Sequence, residues 1–458
     1  MVRTSGPHPV TTPTTPGTPT ATTATSTTTT CTTRTWRSRS RIIQKGMDTK
    51  TFIDAYLGCR ENKRRSPDSV YFELHWERDL KRLELDFADR SLVPFIYGFI
   101  APRPRPREVI ACLMQGKILQ FYFDTHIRPL VEDELTDRTF NNRIGYGPDR
   151  AVKQLMEDIR RVSQNYTRDC WVIGRDIRAY FPSSDLDRSY NHYRQLIERH
   201  FPEGEQRDDL LYILLRTNYS YPAENIHLRS PKHKWEPIIA EGKSVIFNAP
   251  PGRGACLGNQ YWQVEKNYDL NDFDHFQVDE CGLAYVRFVD DMRWVVANKE
   301  AGLAHVALSE KKLQEEYGYQ MHPCKRSCQH YTKGGNFIGI WFKPGRTYIG
   351  NRVVRNCKAR IREWNRHATE LNIDHFLASI NSYTGQMKHH VAYNIIRDIV
   401  DNTVSKKWTK YVHFNEDRLC YQANPGYTHN ELLQKRYHFK LHKNDKARTT
   451  QRPGVAAA

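Results

Sequence analysis

Residues 283–297 read Leu-Ala-Tyr-Val-Arg-Phe-Val-Asp-Asp-Met-Arg-Trp-Val-Val-Ala. Two apolar runs rich in Val, Phe, Tyr and Trp flank the acidic pair Asp290 and Asp291. Runs of this composition favour strands, and two of them around a short polar pair favour a tight hairpin. Such a hairpin puts two carboxylates side by side, where their repulsion costs free energy. A divalent cation would relieve that cost, so the stretch reads as a metal site in a sheet. The competing reading is a solvated turn. A second pair, Asp208–Asp209 in Gln-Arg-Asp-Asp-Leu-Leu-Tyr, reads as the exposed start of a helix. Adjacent acids alone therefore decide nothing, and the surrounding chain has to.

The chain of 458 residues has room for two or three domains or one composite one. With 39% hydrophobic and 12% aromatic residues it can build a sizeable core, and its net charge of +17 favours a polyanionic partner, most simply nucleic acid. No run approaches the roughly 18 apolar residues of a membrane-spanning helix. The N-terminus has no apolar signal-peptide core. The expectation is a cytoplasmic protein with no membrane partner. The ten cysteines have no paired CxxC spacing. Cys324 and Cys328 find no second pair to complete a zinc site, so the thiols read as reduced. No HExxH pattern occurs, and His389–His390 reads as a basic helix surface.

Residues 1–46 are dominated by Thr with Pro and Gly, then turn basic. They bury too little apolar surface to fold and read as a disordered tail, either a loose nucleic-acid arm or sequence upstream of the true start at Met47. Residues 47–92 are helix-rich, with Phe52, Tyr56 and Leu57 on one face and Phe72, Leu74, Leu80, Leu83 and Leu85 continuing the stripe. Residues 101–110 alternate Pro and Arg. The prolines enforce extended backbone, and Arg103, Arg105 and Arg107 offer forked donors suited to phosphate oxygens. A Pro-rich surface linker is the alternative. A glycine turn, Arg143-Ile-Gly-Tyr-Gly147, interrupts helical pattern.

From Cys170 a short apolar strand ends in Asp176, followed by Tyr180, Phe181 and a helix-capping Ser183 or Ser184. Residues 203–245 read as a polar, irregular insertion. Residues 250–265 form a glycine-rich loop leading into a helix, where backbone can approach a ligand and a helix N-terminus favours negative charge. A helix at 299–317 follows the acidic hairpin. Next come Lys325, a second aromatic hairpin at 334–342, and basic helices at 353–400 bearing Arg355, Lys358, Arg360, Arg362 and Arg366.

The order of these pieces resembles a bacterial reverse transcriptase of the diversity-generating retroelement, retron or phage-defence type. Asp176 in Arg-Asp-Ile-Arg-Ala-Tyr-Phe looks like the first palm motif, and Phe288-Val-Asp-Asp291 like the Tyr/Phe-x-Asp-Asp motif. Gly258-Asn259 with Gln263 looks like the Ile-Gly-Asn-x-x-x-Gln motif. Pro106-Arg-Glu-Val109 resembles the fingers motif, and Lys325 the lysine of the next palm motif. Phe337-Ile-Gly-Ile340 resembles the hairpin that grips the primer end. Ser379–Gly385 with Lys388-His-His resembles the thumb. The resemblance spans residues 50–400. Tyr261 and Trp262 depart from it, standing where that group has small hydroxyl residues, and so suggest an altered template or nucleotide pocket.

The resemblance implies an α+β right-hand polymerase. Its parts would be N-terminal helices and fingers (47–165), a palm (166–345) carrying the 203–245 insertion, a helical thumb (346–415) and a basic tail (416–458). It implies an RNA-directed DNA polymerase using two magnesium ions, with manganese able to replace them. Asp176, Asp290 and Asp291 would be catalytic acids and, with the Ile177 carbonyl, metal ligands. Lys325 would be a general acid for the leaving pyrophosphate, or a phosphate contact only. Arg105, Arg107, Phe181, Gly258, Asn259 and Gln263 would bind nucleotide, Phe181 as the gate against a ribose 2′-hydroxyl. Arg103, Arg143, Phe337, Gly339, Arg355, Lys358, Arg360 and Lys388 would bind nucleic acid. The implied partners are an RNA template, a DNA primer and product, and deoxynucleotides. An accessory protein or non-coding RNA would also suit this group. Two other readings stand beside it. One is a template-independent or protein-primed polymerase, for which Tyr261–Trp262 is the support. The other is an inactive nucleic-acid-binding protein.

Overall fold

A computed structural model describes residues 46–61, 67–93, 96–102, 105–220 and 226–433. The Thr-rich start up to residue 45, Arg103 and the basic end from 434 lie outside them. The architecture is α+β, as expected, with small antiparallel sheets covered by helices.

Helices Thr49–Arg60, Pro67–Leu74 and Trp76–Ala88 pack against the long helix Met114–Glu134 through Phe52, Tyr56, Phe72, Leu80, Leu83 and Phe87. Asp48 caps the first of them, accepting the Thr51 N–H at 2.9 Å. Leu57, Leu74 and Leu85, expected on the buried stripe, are exposed. The helix breaks at His75, so one helical periodicity does not run through the whole segment.

Strands β1 (Ile96–Ala101) and β2 (Arg107–Cys112) form an antiparallel hairpin, with Ile96 opposite Cys112 and Ala101 opposite Arg107. The Pro-Arg run thus leads into a strand rather than standing as a free rod. Strand β3 (Trp171–Asp176) follows the helix Pro148–Val162. Among its described residues, the region expected to be an irregular insertion is largely helical. Its helix Glu205–Asn218 buries Leu210, Ile213 and Leu214, a single apolar stripe that polar composition conceals. Asp208 is in its first turn, as expected, but Asp209 is buried and pairs with Arg90 at 2.6 Å. Strand β4 (Ile226–Leu228) then adds in parallel to β1.

Strands β5 (Ala284–Phe288), β6 (Asp291–Val296) and β7 (Ser327–His330) complete a four-stranded antiparallel sheet in the order β5-β6-β3-β7. Both faces are covered. Val172, Ala284, Val286 and Val295 meet Ala151, Val152, Leu155 and Ile159 of the helix Pro148–Val162. Ile173, Tyr285, Met292 and Trp294 meet Val306 and Leu313 of the helix Lys299–Tyr317. The near-continuous apolar runs of β3, β5 and β6 follow from this double burial.

Beyond it lies a small sheet of β8 (Gly335–Phe337), β9 (Ile340–Lys343) and β10 (Arg346–Ile349). Helices Asn351–Asn365, Ile373–Met387 and Tyr393–Asn402 then share a separate core with β11 (Val412–Asn415) and β12 (Cys420–Ala423). Tyr421 and Leu432 belong to that core, so folded chain continues past 416, where a tail was expected to begin. Among the described residues no helix is long and apolar enough to cross a membrane.

Candidate active site

Phe288 and Asp291 are register partners, so the β5–β6 turn is Val289–Asp290. Only one acid therefore occupies the tip, and Asp291 opens β6; the expected pair of tip carboxylates is corrected to this offset. Val289 has φ +59°. A β-branched residue in the left-handed region is strained by roughly 1–3 kcal/mol and persists only where its surroundings hold it. Asn141 does so, its side-chain oxygen accepting the Val289 N–H at 2.8 Å.

Antiparallel pairing places Asp176 of β3 directly opposite Asp291 of β6, which sets their Cα atoms roughly 4.5–5.5 Å apart. The Ile177 N–H donates to the Asp290 carbonyl at 3.0 Å. Asp176 and the distant pair Asp290–Asp291 thus stand at one sheet end. Burial, then the neighbouring Asp176 and Asp291 carboxylates, push the Asp290 carboxyl up to about 6. Burial also raises Asp291, against the opposing pull of Arg293. Lys325 donates from Nζ to Asp176 Oδ1 at 2.6 Å and is itself half exposed. The Asp176 carbonyl accepts the His322 N–H at 2.7 Å, which brings the Lys325 loop alongside β3.

The fit to a cation is uneven. Among the described residues no three His, Cys, Asp or Glu side chains converge as a ready metal cluster. Asp291 is turned onto Arg293. Asp176 and Asp290 do fit a hard cation: both offer oxygen donors, and the Asp290 carboxyl is raised by burial first and then by the neighbouring Asp176 charge.

The turn after β3 is stitched to the glycine-rich loop by backbone. Phe181 C=O accepts from Ala255 N–H at 2.8 Å, and Ser184 C=O from Gly254 N–H at 2.9 Å. The Tyr180 hydroxyl donates to the Lys266 carbonyl at 2.7 Å, and Phe181 beside it is half-buried between two apolar clusters. Gly258 has φ +127°, and a Cβ there would lie 2.8 Å from the Ile110 carbonyl oxygen, so a side chain is excluded. Its neighbour Leu257 accepts the Ile110 N–H at 2.7 Å.

Several expected ligand-binding side chains are otherwise engaged. Asn259 is buried and accepts the Cys112 N–H at 3.1 Å, so it joins β2 to the loop rather than facing a ligand. Arg143 is 5% exposed and held by Glu132 at 2.7 Å and the Thr139 carbonyl at 3.1 Å, which removes it from a nucleic-acid surface. Phe337 and Gly339 are buried and shape the β8–β9 turn from within. Lys358 is paired with Asp398, and Arg360 with Glu363 at 3.0 Å. Gln263 is half-buried, while Arg105, Arg107, Arg355 and Lys388 are exposed. Arg103 lies outside the described residues. Tyr261 and Trp262 are 2% and 1% exposed and pack in the core, the Tyr261 hydroxyl donating to Asn218 at 2.9 Å. Buried in this way they do not support an altered template site.

Three charged residues of the framework were not singled out from sequence. Arg287 and Arg293 each carry a charge inside an apolar strand, a pattern that demands a buried partner. Glu108 is buried on β2, and its carboxylate accepts the Ser244 hydroxyl and the Val245 and Ile246 N–H groups, tying the hairpin to the following region.

No protein-family model and no curated protein matches this chain. Among solved structures it is similar to telomerase from Candida albicans in complex with the TWJ fragment of telomeric RNA. There the identity is 12%, the TM-score 0.40, and the match covers 73% of this chain and 59% of the other. It is also similar to apo telomerase from Candida tropicalis, at 10% identity and TM-score 0.41, covering 67% of this chain and 59% of that one. The chain thus spans about 59% of the length of these structures. Likeness of this degree assigns neither family nor activity.

Proposed function

We propose that this protein is an RNA-templated DNA polymerase of the bacterial retroelement or phage-defence kind, with fingers, palm and thumb in the order the motifs give. One observation carries the reading: Asp176 faces Asp291 across the β3–β6 ladder, beside Asp290 at the turn. Such an end-of-sheet acid cluster, with an ammonium on it and a glycine-rich loop stitched alongside, suits phosphoryl transfer.

Asp176 and Asp290 would hold the metal, with the Ile177 carbonyl. Magnesium, two ions in this reading, supplies stabilisation of the attacking and leaving oxygens when bound. Lys325 Nζ donates to Asp176 beside the other acids, where it would contact a leaving pyrophosphate and donate to it. Arg105 and Arg107, exposed at the turn end of the β1–β2 hairpin, would steady the triphosphate. Arg355 and Lys388 are exposed on the C-terminal helical region and would meet duplex phosphates, a contact weakened steeply by salt.

Primer extension on a defined RNA, with each deoxynucleotide omitted in turn, tests the reading. Products should stop at the template position that calls for the missing nucleotide. Product indifferent to template would replace this reading with untemplated synthesis, and no product under any metal would leave a binding protein.

Phe181→Ala is expected to admit ribonucleotides, lowering discrimination at the 2′-hydroxyl by about 100-fold, since a steric gate and not a hydrogen bond is removed. Single-nucleotide incorporation with paired ribo- and deoxynucleotides measures it. Unchanged discrimination would assign Phe181 to packing alone.

A further inference from the structure

Arg293 has a second connection that the chemistry above does not use. It stands two residues after Asp291 on β6, so both side chains point to the same face of the sheet. Its two terminal nitrogens grip the Asp291 carboxylate as a fork, Nη1 on Oδ1 and Nη2 on Oδ2 at 3.4 Å. Nη2 also donates to the Asn336 carbonyl of β8 at 3.0 Å. The guanidinium carbon lies 4.8 Å from the centre of the Phe337 ring. The side chain is 11% exposed.

The floor beneath this arginine is cleared for it. Gly174 of β3 is the register partner of both Arg293 and Ser327. A Cβ at Gly174 would lie 3.0 Å from Arg293 Nη1 and would collide with the Ser327 hydroxyl. Glycine at 174 therefore leaves the lane in which the guanidinium crosses the sheet towards β8.

Resting on the polymerase reading, we propose that Arg293 is a positioning residue that joins the Asp291 carboxylate to the β8–β9 hairpin. Through it the metal-binding acids and the hairpin facing the primer end move as one body. Two consequences follow for the same side chain. Its positive charge offsets Asp291, so the site needs more divalent cation than three free acids would. Its fork fixes β8, so the primer end is held in line with Asp176 and Asp290.

The test uses the full chain in three forms: unaltered, Arg293→Met and Arg293→Lys. Mn²⁺ alone is titrated while the thermal midpoint is followed. Incorporation is then measured against primer–template concentration. Arg293→Met should lower the half-saturating Mn²⁺ about tenfold, the scale of removing one charge from a part-buried site. It should raise the KM for primer–template about tenfold while kcat changes less, because ground-state placement and not the chemical step is lost. Arg293→Lys keeps the charge without the fork, so it should restore the Mn²⁺ requirement but not the KM. A merely structural arginine would lower the thermal midpoint of both variants and leave Mn²⁺ half-saturation and KM unchanged, and that result would overturn the proposal. Should Arg293→Met not fold, the Lys variant alone decides: wild-type KM in it overturns the proposal, and a raised KM with wild-type Mn²⁺ response supports it. If the unaltered protein extends no primer, the polymerase reading fails, while the Mn²⁺ titration still reports on whether Arg293 offsets Asp291.

Discussion

Replacing Asp290 by Asn is expected to abolish nucleotide incorporation and, in the absence of metal, to make the protein more stable. The activity loss should exceed about 100-fold, because even disturbing an outer partner of a metal ligand costs 10–100-fold. The stability gain follows from the Asp290 carboxyl lying at about 6 in the folded chain, raised by burial and by Asp176 and Asp291. Its ordinary value is about 3.9. Between these values the folded state binds more protons than the unfolded one, so the protonated carboxyl stabilises the fold at low pH and that contribution is lost as pH rises through about 6. At neutral pH the ionised group opposes folding. Discounted because the residue is only part-buried, the opposition amounts to roughly 1–2 kcal/mol. Urea unfolding in EDTA at pH 4.5 and 7 measures it. The Asn variant should be the more stable at pH 7 and should lack part of the fall between the two pH values. Full incorporation by Asp290→Asn would remove this acid from the chemistry, and a lower stability at pH 7 would make it structural.

The second large effect lies one layer below. Arg287 and Asp274 are each fully buried, and Arg287 Nε donates to both Asp274 oxygens at 2.9 Å. Tyr285 and Thr139 donate hydroxyls to the same carboxylate at 3.0 and 2.6 Å. The guanidinium also reaches the Asn267 carbonyl at 3.0 Å and the Val289 carbonyl at 3.3 Å, the latter in the strained turn. Removing one member of a buried pair leaves the other charge uncompensated, at a cost of about 3–5 kcal/mol. Asp274→Ala should show that loss in urea unfolding. The double substitution Asp274→Ala with Arg287→Met should recover most of it, since an apolar pair removes the stranded charge. Equal instability of single and double variants would mean that packing volume, not charge, sets the cost.

The chemistry of the site was more legible than its framework. Asp176 and Asp290–Asp291 stand out because strand periodicity surrounds them, and strands that share a sheet end can bring such acids together. Nothing local says that Asp291 opens β6 while Asp290 occupies the tip, since a one-residue choice of turn decides it. Arg143 and Asn259 look like ligand-binding residues by type, yet both are spent on neighbours that only the fold supplies. Tyr261 and Trp262 look intrusive beside a glycine-rich loop, but the helix Gln260–Tyr268 turns them into the core. The helix Glu205–Asn218 hides in polar composition because one stripe of leucines suffices for it. Side-chain type therefore revealed where charge gathers, and long-range contacts decided which charges remain free.

Strand β4 has a consequence for how the chain acquires its shape. The hairpin β1–β2 gains its third strand from Ile226–Leu228, and Ile100 bonds Ser230 across a separation of 130 residues. A two-stranded hairpin is only marginally stable in water. During synthesis the early hairpin must wait for β3 and both following helices to leave the ribosome before its edge is covered. Closing so long a loop is slow and leaves an unpaired edge open to other chains meanwhile. The late strand leaves the first hairpin of this protein without its third strand until Ile226–Leu228 has been made.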